Sequence, residues 1–207
     1  TQRTDIASTD PNWFPSRTTT TSYAATTFNP IAGQFPSSSI NALSQSETYE
    51  YDRRFGGRTK LTGPNGLSTS WAYDLFGRKK LETRADGTTT SWSYYDNSRV
   101  TFPNMAYGIT TSPSTGTWSI AYFDKLNRPI ASYVNRFENA GSYGSLIDYD
   151  GFGRVARQYK SHLHDAATKP FTSFAYDPLG RVITATAPNG LTTSYAYSGF
   201  TTTVTVN

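Results

Sequence analysis

The alternation of large apolar and small polar residues predicts the fold class. In "LTTSYAY", Leu191, Thr193, Tyr195 and Tyr197 fall on one face of an extended chain, and Thr192, Ser194 and Ala196 on the other. "LSTSWAY" repeats the arrangement with Leu67, Thr69, Trp71 and Tyr73. Period-two runs rich in aromatic and β-branched residues predict strands with rings on one face and hydroxyls on the other. Turn signals separate the runs. "DPLG" (177–180) has Asp, Pro and Gly at the first, second and fourth positions, where a type I turn favours each. "PNG" at 64–66 and 188–190, and "ADG" at 85–87, supply a second tight turn. One unit is thus predicted to be one β-hairpin. A lone hairpin is marginal in water, so consecutive hairpins are expected to pair edge to edge into a continuous twisted antiparallel sheet. The expected class is all-β.

The units recur with a fixed ruler. "YDLFGR" opens at Tyr73, "YDGFGR" at Tyr149 and "YDPLGR" at Tyr176. Intervals of 3, 11 and 7 residues lead from Tyr73 through Phe76 and Gly87 to Tyr94, and again from Tyr176 through Leu179 and Gly190 to Tyr197. "YDRRFGG", from Tyr51, carries one extra residue before Phe55. "FDKLNR" and "YDGFGR" are followed by longer intervals, 26 and 27 residues, and the second surplus falls at "SHLHDAATKP". Asn127 replaces the motif glycine in "FDKLNR". Asn is the residue that next best tolerates the left-handed region, so the exchange supports the same turn. Residues 1–48 hold Pro11, Pro15, Pro30 and Pro36 with "TTTT" and "PSSS"; they read as an irregular segment or a degenerate repeat, because "TTTTSYA" echoes "LTTSYA". Residues 49–207 read as the repeats. "TTTVTVN" predicts a last strand with an open edge able to self-associate.

These residues carry a resemblance. Tyr51-Asp52, Tyr73-Asp74, Phe123-Asp124, Tyr149-Asp150 and Tyr176-Asp177 recur in register. In four of the five copies a pair follows: Gly77-Arg78, Asn127-Arg128, Gly153-Arg154 or Gly180-Arg181. The pattern resembles the YD repeat of the Rhs family, seen in bacterial Rhs polymorphic toxins, in the B and C components of insecticidal toxin complexes and in animal teneurins. The resemblance implies a β-sheet that spirals into a hollow shell. In the bacterial members that shell encloses a C-terminal toxin; in the animal ones it serves adhesion. The chain has too few repeats to close a shell, and no motif of the core segment that releases the toxin is found, so autoproteolysis is not carried over. It opens with "TQRTDIASTD" instead of Met or a signal peptide and reads as an excerpt.

Composition changes this picture little. A net charge of +4, spread over the repeats, forms no basic stripe for nucleic acid. With no cysteine there is no disulfide framework and no thiolate site, and no apolar run reaches membrane-spanning length. The recurring Asp and Arg invite an acid–base or anion-site reading. Catalytic constellations are normally unique and convergent, whereas a residue that returns once per hairpin serves each hairpin in the same way. Asp fixes the turn, and Arg stacks on a ring or bonds a neighbouring strand. Trp71 and Trp92 are candidates for carbohydrate stacking, against ring packing along the sheet. His162, His164 and Asp165 form the one cluster with ligand chemistry, and with no further ligand nearby no metal site is assigned. No cofactor motif is present. The leading expectation is a non-catalytic wall segment, bacterial and secreted or on the cell surface, built around a polypeptide cargo. A surface adhesion or carbohydrate-binding module is the alternative. A glycoside hydrolase would need two facing carboxylates, and the chain has four glutamates, Glu47, Glu50, Glu82 and Glu138.

Overall fold

The computed structural model describes residues 18–96, 103–136 and 141–207. Residues 1–17, with Pro11 and Pro15, lie outside them, as does Glu138. Among the described residues there are seventeen strands and no helix. The all-β expectation is met.

Two compact units share the chain, the first comprising residues 1–92 and 113–115, the second residues 93–112 and 116–207. In the first, β1 (Thr20–Ser22), β2 (Ser38–Ile40), β3 (Ser46–Tyr51), β4 (Arg58–Thr62), β5 (Ser68–Tyr73) and β6 (Lys79–Thr83) follow one another, each antiparallel to the next. β6 then pairs with the opening residues of β7 (Thr89–Asp96). The segment before the first Tyr-Asp therefore contributes two short strands. Phe35 stacks on Tyr51 with ring centroids 4.8 Å apart, and the buried Asn29 donates its side-chain N–H to the Tyr49 carbonyl.

The second unit continues from β8 (Tyr107–Pro113) through β9 (Ser119–Phe123), β10 (Pro129–Asn135), β11 (Ser142–Tyr149) and β12 (Val155–Tyr159). After the short β13 (His162–Leu163) come β14 (Phe171–Tyr176), β15 (Val182–Thr186), β16 (Thr192–Ser198) and β17 (Thr201–Val206). β14 pairs with β12, so the surplus residues of "SHLHDAATKP" leave the ladder between them. β13 lies against the first half of β11, with Leu163 opposite Tyr143 and His162 opposite Gly144, and His162 is buried.

Burial is shallow, and few side chains are fully covered. Among the described residues five apolar side chains are buried: Met105, Tyr122, Ile130, Ala131 and Tyr133. They form one cluster in the second unit, flanked by Tyr95, Ile120, Leu146 and Tyr149. Two glycines make this packing possible. A Cβ on Gly108 would strike the Tyr95 ring, and one on Gly144 would overlap the Ser132 carbonyl oxygen and the Tyr133 ring. Rings lie over bare backbone there, and they supply the contact that glycine lacks. Leu67 and Leu191, placed on the ring face by their alternation, stand 58% and 52% exposed, because they lie between the "PNG" turn and the first residue of the strand that follows.

Candidate functional site

The repeated motif folds into one construction. At Asp177 the backbone N–H of Gly180 donates to the Asp177 carbonyl (2.9 Å), and the Asp177 N–H donates to the Arg181 carbonyl (2.9 Å). Gly180 sits at φ 80°, and the ladder slips by one residue between Ala175 and Tyr176. This is a type I turn followed by a left-handed residue that forms a bulge. The same pair of bonds closes the turns at Asp74, Asp124 and Asp150, with Gly77, Asn127 and Gly153 at φ 77°, 61° and 83°. Asn127 thus holds the left-handed position that its sequence place predicted. The "PNG" turns have the same geometry, with Gly190 donating to Ala187 and Ala187 to Leu191.

Each aspartate is consumed by its own turn. Oδ1 of Asp177 accepts the backbone N–H groups of Leu179 and Arg181, both at 2.9 Å, and Oδ2 accepts Nε of Arg181 at 2.7 Å. Asp74, Asp124 and Asp150 make the same three bonds. Partial desolvation pushes these carboxyls up, but the donated backbone N–H and the guanidinium outweigh it, so all four titrate below the usual carboxylate range. "YDRRFGG" departs as its extra residue requires. The turn widens, Gly56 donates to Asp52 and Asp52 to Gly57, and Asp52 takes Arg54 as its partner (2.8 Å). Arg58 lies 4.6 Å from the centre of the Tyr49 ring.

The arginine leaves its turn to reach the next hairpin. The guanidinium carbons of Arg128, Arg154 and Arg181 lie 4.1, 4.5 and 4.3 Å from the ring centroids of Tyr149, Tyr176 and Tyr197. Each of those tyrosines donates its hydroxyl back to the carbonyl of the residue after the arginine: Pro129 (2.9 Å), Val155 (2.8 Å) and Val182 (2.8 Å). Nη1 of Arg128 also donates to the Gly153 carbonyl and Nη1 of Arg154 to that of Asp177. In the first unit Tyr73 donates to the Arg58 carbonyl at 2.7 Å. Sequence reasoning anticipated the arginine on a ring or a neighbouring strand. It missed the returning tyrosine hydroxyl, whose signal is the interval of 7 residues from turn glycine to tyrosine at Tyr73 and Tyr197, an interval that the lengthened units before Tyr149 and Tyr176 lack. Phe123 has no hydroxyl to return. Tyr107 stacks on it at 4.9 Å and donates its own hydroxyl to the Asn127 side chain.

The other candidate residues lie apart from this system. Trp71 donates Nε1–H to Glu82 (2.9 Å), and the Lys79 ammonium lies 5.7 Å from the Trp71 ring and 5.5 Å from the Trp92 ring. The two indoles are brought together around one cation. His162 engages the Lys160 carbonyl through Nδ1 (2.8 Å), while His164 lies edge-on to Tyr133. No group of three or more His, Cys, Asp or Glu that could hold a metal occurs among the described residues. A cleft of about 440 Å³ in the second unit is lined by Asp124, Asp148, Arg128 and Lys169 over Ile130 and Tyr149. Its two carboxylates are engaged, Asp124 by its own turn and Asp148 by the Tyr159 hydroxyl (2.9 Å). Asp124, held ionised, is a poor general acid near neutral pH.

Comparison with known proteins agrees with this geometry. The RHS repeat family matches residues 56–89 and 176–205. No curated protein matches the chain. A crystal structure of TcdB2-TccC3 is similar over 83% of this chain and 12% of its own, with a TM-score of 0.59 at 13% identity. A second, of TcdB2-TccC3-Cdc42, is similar over 82% of this chain and 14% of its own, with a TM-score of 0.62 at 10% identity. At these identities the likeness is one of fold, and the chain spans about an eighth of the length of those relatives. RHS repeats are thus matched in both units, where consecutive hairpins are joined through Asp, Arg and Tyr.

Proposed function

We propose that the chain is a segment of wall, a stretch of β-shell that encloses a polypeptide cargo, a toxin by analogy with the family, without catalytic turnover. One observation carries this reading. In four turns the Asp and Arg that chemistry would need are spent on the turn, and in three of these the Arg also stacks on the tyrosine of the next hairpin. Residues so used set the spacing and docking of hairpins, and that is what a long curved sheet requires. The similar structures, TcdB2-TccC3 and TcdB2-TccC3-Cdc42, are far longer than this chain, which is consistent with a wall of which it supplies part. The bacterial, secreted or surface setting belongs to the same proposal.

The test is the native polypeptide detected in its source by an antibody to this segment. A mass well above 22.9 kDa, with a C-terminal region that resists protease until the sheet is unfolded, is the expected result. A native mass near 22.9 kDa, or a C-terminal region cut at the same rate before and after unfolding, overturns the proposal.

A further inference from the structure

The apolar residue at the tip of each motif turn in the second unit is left exposed, although the Arg154 guanidinium lies 5.0 Å from the centre of the Phe152 ring. In the second unit Leu126, Phe152 and Leu179 occupy the same turn position, and Phe200 occupies the turn between β16 and β17. All four are at least 72% exposed. Strand order places them on one rim of the sheet. β9 and β10, β11 and β12, β14 and β15, and β16 and β17 turn at the same end, two strands apart. At ~4.8 Å per strand the row has a pitch of roughly 10 Å. Turns are ordinarily built of Gly, Pro, Asn, Asp and Ser, and a hairpin needs no large apolar residue at its tip. Four in succession form an apolar ridge.

We propose that this ridge is an interface, and that its partner is the same ridge of a second copy of the chain. The argument rests on pitch and charge. A partner that seats every tip must present apolar side chains at the same spacing and with the same twist, and a second ridge related by a two-fold axis does so. Like ridges would ordinarily repel through their arginines. Here Arg128, Arg154 and Arg181 are each paired with the aspartate of their own turn at 2.7–2.8 Å, so the turns at Asp150 and Asp177 are close to neutral, the turn at Asp124 keeps the single charge of Lys125, and two ridges can approach. At on the order of 150 Å² for each phenylalanine and less for each leucine, the four tips supply well under the roughly 800 Å² per partner of a standard interface. The pairing is therefore weak between free chains. It is distinct from strand addition at β17 and independent of any enclosed cargo.

Sedimentation equilibrium on the 207-residue chain tests it, alongside three variants. The first replaces the ridge (Leu126→Ser, Phe152→Ser, Leu179→Ser and Phe200→Ser). The second places one charge on it (Leu179→Lys), and the third places a charge on the open edge strand (Val204→Lys). Circular dichroism of each variant establishes that it is folded. The expected result is a concentration-dependent dimer that is weakened at least tenfold by both ridge variants and left unchanged by Val204→Lys. A chain that is monomeric at every concentration, a dimer indifferent to the ridge variants, or a dimer lost only in Val204→Lys overturns the proposal. So does a monomer whose ridge binds neutral phosphatidylcholine vesicles, since the partner would then be lipid.

Discussion

The guanidinium of Arg154 lies 4.5 Å from the centre of the Tyr176 ring, and Tyr176 returns a hydrogen bond to the carbonyl of Val155, the residue beside that arginine. One turn and the next hairpin are thereby joined twice, by a charge over a ring and by a hydroxyl on a carbonyl. Double-mutant cycles with Arg154→Leu and Tyr176→Leu should show a coupling of about 0.5–1 kcal/mol. Urea unfolding provides the measurement. Additive effects would mean that the two side chains act separately. Arg154→Lys should recover little of the loss, because a lysine cannot hold Asp150, cover the ring and reach the Asp177 carbonyl together.

Tyr176→Phe keeps the ring and removes only the hydroxyl. It should lower stability by about 1 kcal/mol, the ordinary value of one intramolecular hydrogen bond. Thermal unfolding of this variant, compared with Tyr176→Leu, separates the hydroxyl's share from the ring's.

The motif glycine is required for its backbone. Gly180 sits at φ 80° with open space around it, so Gly180→Ala should cost roughly 1–2 kcal/mol from conformation alone. Gly180→Asn should cost less, as Asn127 already holds the equivalent position. Gly144→Ala differs in kind. Its Cβ would overlap backbone and the buried Tyr133, so loss of the folded second unit is expected, visible as lost near-ultraviolet dichroism.

Stability should fall on the acid side. Asp74, Asp124, Asp150 and Asp177 have folded-state pKa values below their unfolded ones. Their contribution is complete above the unfolded value of about 3.9 and is lost as pH drops through the lower folded values. The melting temperature should therefore hold between about pH 5 and 8 with respect to these groups and decline below about pH 4. Asp150→Asn and Asp177→Asn together should flatten that decline. An unchanged acid limb would show that the turns do not govern it.

Trp71→Ala should destabilise the first unit through the lost Glu82 bond and the exposed Lys79. A glycan array should remain silent with the wild-type chain. Glycan binding that disappears with Trp71→Ala would instead establish the carbohydrate-binding alternative.

Strands, turns and repeat phase were legible in the sequence because their causes are local. Alternation placed Thr193, Tyr195 and Tyr197 on one face; Asp, Pro and Gly set the turn at 177–180; and Asn127 marked its own left-handed backbone. Repetition also argued against catalysis, and the engagement of every motif aspartate supports that reading. What only the tertiary structure decided involves residues far apart along the chain. Nothing near Arg154 in sequence says that its ring partner is Tyr176, since an interval lengthened by an insertion separates them. Nor does local pattern say that Gly144 lies under Tyr133, that His162 is buried beside β11, or that Lys79 stands between Trp71 and Trp92. Turn chemistry acts over four or five residues and can be read letter by letter. Strand pairing brings together positions whose separation depends on every loop between them, and the folded sheet alone defines those contacts.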